Sequence, residues 1–81
     1  MILLDVQIMA MDQTYDFELD EELTAGELAE KIVRIVSEQE KLSFDPNEKR
    51  YLYAFDAEQI LDERLSLKEQ GITGGEKLIL I

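Results

Sequence analysis

Apolar and polar side chains alternate along two short runs near the start of the chain, residues 2–9 and residues 14–19. The apolar positions are Leu4, Val6 and Ile8 in the first run and Tyr15, Phe17 and Leu19 in the second. A period of two places successive side chains on opposite faces, as in a β-strand with one buried face. Only a short polar break separates the runs, so the pattern predicts an N-terminal hairpin.

The next segment changes to a helical period. Thr24 and Glu27 have the spacing of a capping box, in which the threonine oxygen accepts from a first-turn amide and the glutamate reaches back to the cap N–H. The stripe that follows at helical spacing consists of Ala25, Leu28, Ala29, Ile32, Ile35, Val36 and Gln39. The sequence therefore predicts an amphipathic helix that ends near Gln39 or Glu40.

Shorter elements fill the second half of the chain. They are a loop at 42–49 around the only proline, a third strand at 50–55, a very short fourth strand at 60–61, a helical or 3₁₀ turn within 62–71, a tight turn at Gly74–Gly75 and a last strand at 77–81. The last strand is apolar from Leu78 to Ile81, which is typical of a central strand. Placing it parallel to the first strand gives an α+β fold of the β-grasp type. We expect a mixed four- to five-stranded sheet with one helix packed across one face, as a single domain of residues 1–81.

Composition and charge narrow the class of partner. The chain has 46% hydrophobic residues and a net charge of −11. The apolar content suffices for one core, but no apolar run is long enough to span a bilayer, and the N-terminus lacks the features of a signal peptide. The acidity argues against nucleic acid and against anionic membrane surfaces. A partner contacted through charge should be a basic protein or basic segment, but such acidity also serves simply to keep a small protein soluble. We expect a cytoplasmic, protein-binding domain without direct membrane insertion.

Catalysis and metal binding lack candidate residues. The chain contains neither cysteine nor histidine, which removes thiolate and imidazole ligands and the commonest general base. Acidic neighbours such as Asp20–Glu22 are expected by chance among 19 acids, and no calcium-loop pattern is present. We therefore expect no enzymatic activity, no catalytic or metal site and no cofactor.

Two segments resemble ubiquitin-like proteins. The stretch Leu23–Leu28 stands where such domains enter their helix, and Leu67–Ile72, followed by Gly75–Glu76, Leu78 and Leu80, is similar to their Leu-x-x-x-Gly-Ile-x-x-Gly-Asp-x-Leu signature. Over all its residues the chain is similar to the YukD-type ubiquitin-like proteins of bacterial type VII secretion systems. The resemblance implies a small cytosolic accessory component whose protein partner belongs to a membrane-embedded secretion machine.

The position of the glycine pair bears on conjugation. Conjugated ubiquitins and sulfur carriers need a flexible terminal Gly-Gly, whereas Gly74–Gly75 here precede an apolar strand that runs to Ile81. Cleavage after Gly75 would delete the expected central strand. We therefore expect a domain that is not conjugated.

Strand alternation predicts a partner-binding face on the side of the sheet away from the helix. Leu3 on the first strand and Ile79 and Ile81 on the last strand point away from the core. The third strand allows two registers, in which either its aromatic residues or the residues between them face the helix. Taking the aromatic residues inward adds Leu52 to the outer side. The predicted partner-binding residues are Leu3, Leu52, Ile79 and Ile81.

More than one function fits such a surface. The first is a non-conjugated adaptor or regulator of type VII secretion. The alternative is a small cofactor-free β-grasp subunit of a multicomponent enzyme such as a diiron monooxygenase, and a third is a domain of a longer membrane protein. A homodimer through the same face also fits. Co-purification with a secretion ATPase or with a hydroxylase distinguishes the first two.

Overall fold

A computed structural model describes residues 1–81. It contains the strands β1 (Ile2–Ile8), β2 (Gln13–Leu19), β3 (Leu52–Ala54), β4 (Gln59–Ile60) and β5 (Lys77–Leu80), and the helix α1 (Ala25–Glu40). The order of elements is the predicted one, and α1 ends at one of the two predicted residues. β3 is shorter than the predicted third strand, and β4 begins one residue earlier than expected.

The strands form one five-stranded sheet in the order β2-β1-β5-β3-β4. β1 pairs antiparallel with β2, while β5 runs parallel to β1 and antiparallel to β3. The last strand of the chain therefore lies at the centre of the sheet, as its apolar sequence indicates. With α1 across one face, this is the predicted α+β fold of the β-grasp type.

The core lies between α1 and one face of the sheet. Its buried residues are Leu4, Val6, Ile8, Leu19, Ala25, Leu28, Ala29, Ile32, Val36, Leu52, Ala54, Leu61, Leu67, Ile72, Leu78 and Leu80. The predicted helical stripe is too wide: Ile35 is 36% exposed and Gln39 is exposed. Leu28, Ile32 and Val36 centre the stripe on the sheet, so Ile35 falls on its flank and Gln39 lies beyond its last buried residue.

The N-terminus of α1 carries the predicted cap. The Glu27 N–H donates to Thr24 Oγ1 over 3.1 Å, and the Thr24 hydroxyl donates to the Glu27 carboxylate over 3.0 Å. The glutamate thus closes the box through the hydroxyl and not through the cap N–H. The Gly26 N–H donates to the Glu63 carbonyl, also over 3.0 Å. Glycine suits this close approach, because a Cβ at residue 26 would lie 3.0 Å from that carbonyl oxygen and the Glu63 main chain would have to shift.

Side chains hold the segment 62–71 in a hydrogen-bonded turn without regular 3₁₀ helix. Ser66 and Glu69 form a second reciprocal box, in which each N–H donates to the other's side chain over 2.9 and 3.0 Å. Gln70 donates to the Asp62 carbonyl over 3.0 Å and accepts from the Asp62 N–H over 2.8 Å. These bonds supply partners to backbone groups that the sheet does not pair.

The side chains of β3 point to the opposite sides of the sheet from those predicted. Leu52 and Ala54 are only 1% and 0% exposed. They lie opposite Leu80 and Leu78 of β5, and directly opposite residues share one face of a sheet. The inward aromatic register is therefore wrong. The aromatic residues that it placed in the core, Tyr51, Tyr53 and Phe55, lie on the side away from α1.

The register of β3 can be tested by truncation. We expect Leu52→Ala to lower the free energy of unfolding by about 3 kcal/mol, because it removes a buried side chain and leaves a cavity. Phe55→Ala, at a position that is 52% exposed, should cost less than about 1 kcal/mol. Urea denaturation with an unchanged m-value measures both. A larger loss for Phe55→Ala than for Leu52→Ala would contradict the register.

Candidate protein-binding face

The sheet has an outer face, which we define as the face opposite α1. Cross-strand register identifies which side chains share it, because directly opposite residues point the same way. Gln7 of β1 lies opposite Ile79 of β5. Ile79 lies opposite Tyr53 of β3, which in turn lies opposite Ile60 of β4. One continuous row of side chains therefore crosses the outer face from β1 to β4.

The part of the outer face on β5, β3 and β4 is mainly apolar or aromatic. We call this group the apolar patch; it consists of Tyr51, Tyr53, Phe55, Ile60, Ile79 and Ile81. Ile60 and Phe55 expose 56% and 52% of their surface, whereas Ile79 and Tyr53 in the middle are half-buried. The Tyr51 and Ile81 main chains exchange two hydrogen bonds of 3.0 and 3.4 Å, which extend the β3–β5 ladder to the end of the patch.

The four residues predicted for partner binding do not all lie in the apolar patch. Ile79 and Ile81 lie on the outer face and belong to the apolar patch. Leu3 is 57% exposed on the same face, but the neighbouring pair Asp5 and Lys77 separates it from the patch. Leu52 is a core residue, and its predicted place on the outer face is wrong because β3 has the other register.

The sequence interpretation missed the central aromatic residue of the patch and its edge. Tyr53 and Ile60 complete the row that starts at Ile79, and Phe55 extends it toward Lys77. The usable signal was the small residue Ala54, which suits a strand face against which a helix packs closely. Hydrophobicity alone ranks the aromatic residues above alanine and thus favours the wrong face.

Two cations lie over the aromatic rings of the patch. The Lys77 ammonium is 5.1 Å from the centre of the Phe55 ring, and that of Lys49 is 5.9 Å from the Tyr51 ring. Lys49 also bonds to the Glu63 carboxylate over 2.8 Å, which raises the pKa of its ammonium. Positive charge is therefore held at the aromatic rim of the patch.

The part of the outer face on β1 and β2 is acidic. Asp5 lies directly opposite Asp16, and neither takes part in any ion pair of the structure. The neighbouring Asp5 carboxyl raises the pKa of Asp16, because it can hydrogen-bond to the protonated form of Asp16 and repels the charged form. Like charges in directly opposite positions destabilise a strand pair.

The glycine pair forms the turn that leads into β5. Gly75 has a φ of 88° and donates its N–H to the Leu3 carbonyl over 2.8 Å. The strand that follows lies between β1 and β3 in the sheet. A chain cut after Gly75 would therefore lose its central strand.

Other parts of the molecule show fewer features of a functional site than the outer face does. A groove of about 830 Å³ lies between α1 and the loop 42–50, where the Arg50 guanidinium stacks 5.1 Å from the centre of the Phe44 ring. No three acidic side chains come together in an arrangement that could hold a metal ion. α1 is neither long enough nor apolar enough to cross a membrane.

The sheet order and the single covering helix define a ubiquitin-like domain of the β-grasp class. The chain is similar to the ubiquitin-like domain of an Arabidopsis thaliana protein, at 25% identity and a TM-score of 0.71 over 99% of this chain and 74% of that one. A designed protein based on human erythrocytic ubiquitin matches at 27% identity and 0.72, over 100% and 90% of the two chains. The EccD5 ubiquitin-like domain from Mycobacterium xenopi matches at 21% and 0.77, over 99% and 91%.

Comparison with protein families assigns the chain more narrowly. The family model described as "WXG100 protein secretion system (Wss), protein YukD" matches residues 3–80. The chain therefore belongs to the YukD family. A search of the curated proteins finds no match.

Neutralising one acid of the Asp5–Asp16 pair should raise the thermal stability of the protein, by an amount that depends on pH. The pKa of Asp16 is raised above its ordinary value of 3.8, so the folded state binds the proton more tightly than the unfolded chain does. The stability that comes from protonated Asp16 is therefore lost as the pH rises through the pKa that Asp16 has in the folded state. Asp16→Asn should raise the Tm at pH 7, and the gain should vanish as the pH falls below 3.8.

Thermal unfolding followed by circular dichroism at low ionic strength measures this gain. Glu18→Gln is the matched control, since Glu18 lies opposite Leu3 and not opposite an acid. A gain that persists at low pH, or an equal gain in Glu18→Gln, would contradict repulsion between Asp5 and Asp16.

Proposed function

We propose that this protein is a non-catalytic, non-conjugated ubiquitin-like adaptor or regulator of type VII secretion. It acts as one domain of residues 1–81 and binds a protein partner through the apolar patch. The partner is a component of the membrane-embedded secretion machine, contacted from the cytoplasm. Membership of the YukD family supports the link to secretion.

The observation that carries the binding proposal is the row from Ile79 through Tyr53 to Ile60. An antiparallel sheet can leave one face to water, and that face is then normally polar. Here the side chains in the middle of β5, β3 and β4 are apolar or aromatic, and Ile60 at the edge is 56% exposed. Contiguous apolar surface rimmed by charge is typical of protein interfaces, in which tyrosine and phenylalanine are enriched.

The electrostatics of the molecule favour a different protein over a second copy. With a net charge of −11, two copies of this chain repel each other. The ammonium groups of Lys77 and Lys49 lie on their own aromatic rings and offer little compensation. The proposed partner therefore presents an apolar surface with few acidic groups.

The internal position of the glycine pair argues against conjugation through Gly75. Gly75 is tied to the Leu3 carbonyl, and its positive φ turns the chain into the central strand. The pair thus has a structural role in placing β5 beside β1.

A charge placed in the apolar patch should abolish partner binding. Ile79→Glu puts a carboxylate at the centre of the patch, and we expect at least a tenfold loss of the captured partner, about 1.4 kcal/mol or more. The measurement is crosslinking of the tagged protein in its native host, followed by mass spectrometry. Ile60→Glu, at the edge of the patch, serves as a second variant should the change in the central strand impair folding.

Ile35→Glu is the matched control, because it makes the same substitution at a part-exposed position of α1, remote from the outer face. Its captured partner should be unchanged, and circular dichroism should show all variants folded. Equal loss in Ile35→Glu, or full binding by folded Ile79→Glu and Ile60→Glu, would contradict the patch. Capture of a hydroxylase or another soluble enzyme in place of a secretion component would contradict the secretion role and favour the accessory-subunit alternative.

A further inference from the structure

The sheet has one long open edge. β2 is the first strand in the sheet order and has seven residues, whereas β4 at the other edge has only two. An uncovered edge strand presents unpaired N–H and C=O groups to which another extended chain can add. The β2 edge is therefore the longer of the two places where the sheet can be extended.

Hydrogen bonding on the other side of β1 identifies the open groups of β2. Asp5 and Met9 donate their N–H groups to carbonyls at β5, over 3.2 and 3.1 Å, so the odd residues of β1 bond toward β5. The even residues bond toward β2, where the opposite positions are Gln13, Tyr15, Phe17 and Leu19. The main-chain groups of Thr14, Asp16 and Glu18 consequently point outward from the edge.

The two faces beside this edge differ in polarity. Tyr15 and Phe17 lie on the inner side, half-buried against the core, with ring centres 6.1 Å apart. The Tyr15 hydroxyl donates to the Glu40 carboxylate over 2.6 Å, which ties β2 to the end of α1. Thr14, Asp16 and Glu18 are exposed on the outer side. An added strand would therefore meet aromatic edges on one face and carboxylates on the other.

The acidic side chains of β2 indicate which kind of chain would bind at its open edge. Asp16 already lies opposite Asp5, and neither has a cation partner. A lysine or arginine on an added strand would lie opposite Asp16 and offset this repulsion. A second copy of the chain would instead place its own Asp16 and Glu18 at the same edge and add to it. Acidic side chains on an open edge thus discourage self-pairing and leave the edge available to a basic segment.

We propose that the β2 edge binds an extended, basic segment of a protein partner as a sixth strand of the sheet. Lysine or arginine residues at alternate positions of that segment face Asp16 and Glu18, and the apolar residues between them pack beside Tyr15 and Phe17. This surface is distinct from the apolar patch, because β1 lies between β2 and β5, the nearest strand of the patch.

A model peptide tests this proposal directly. The probe is a capped peptide of alternating lysine and valine, as long as β2, titrated into the ¹⁵N-labelled protein. We expect saturable chemical-shift changes over residues 13–19 and slower hydrogen exchange at the amides of Thr14, Asp16 and Glu18. The same peptide with glutamate in place of lysine should bind at least tenfold more weakly. Binding should also weaken as the salt concentration rises.

Two variants separate the edge from other surfaces. Asp16→Lys should weaken the lysine peptide at least tenfold, and Asp16→Pro removes an outward N–H without touching the ladder to β1. If Asp16→Pro does not fold, Asp16→Lys and the two peptides still decide the question. Asp56→Lys is the matched control, because it makes the same charge reversal at an exposed position in the turn between β3 and β4, on the far side of the sheet. It should lose much less affinity for the lysine peptide than Asp16→Lys does.

Several results would overturn the proposal. They are the absence of saturable binding at millimolar peptide, shift changes centred on the apolar patch, and equal affinity for the glutamate peptide. Concentration-dependent protection of the β2 amides without any peptide would overturn it in favour of a second copy at the edge.

Discussion

The parallel pairing of β1 with β5 is the contact on which the rest of the structure depends. Val6 lies opposite Leu78 and Ile8 lies opposite Leu80, and all four side chains are buried. Parallel neighbours cannot be joined by a tight hairpin, so the intervening chain must cross over a face of the sheet. In this crossover α1 covers the apolar face that the two strands share, and β3 pairs with the remaining edge of β5.

The fold itself does not require the apolar patch. The pleat that directs Leu78 and Leu80 toward α1 directs Ile79 to the outer face, whatever residue stands there. β1 shows that polar residues suffice on this side, since Asp5 and Gln7 occupy its outer positions. Isoleucine in the matching position of β5 is not needed to cover the core, which lies on the other face, and its apolar surface supports the proposed contact with another protein.

Long periodic runs were enough to predict the hairpin and the helix, and a continuous apolar run was enough to place the last strand at the centre of the sheet, because local pattern and tertiary contact agree in each. β3 differs, since it has only three residues and both of its faces carry apolar side chains. Which face of β3 is turned toward α1 is decided by Leu52 packing opposite Leu80, a contact between distant parts of the chain. The candidate site could be predicted only in part, for the same reason. The pattern of its own strand was enough to place Ile79 on the outer face, whereas the pattern of β3 did not place Tyr53 there.

Charge divides the outer face into two halves of different chemistry. Asp5 lies opposite Lys77, where an ion pair would join the halves, but the Lys77 ammonium lies over the Phe55 ring instead. The acids of β1 and β2 therefore remain uncompensated, and the patch keeps its cations at the aromatic rim. A strand added beyond β2 would leave Ile79 open, because β1 stands between them. On the two proposals together, the domain can hold a basic extended segment and an apolar surface at the same time, which is what an adaptor between two partners requires.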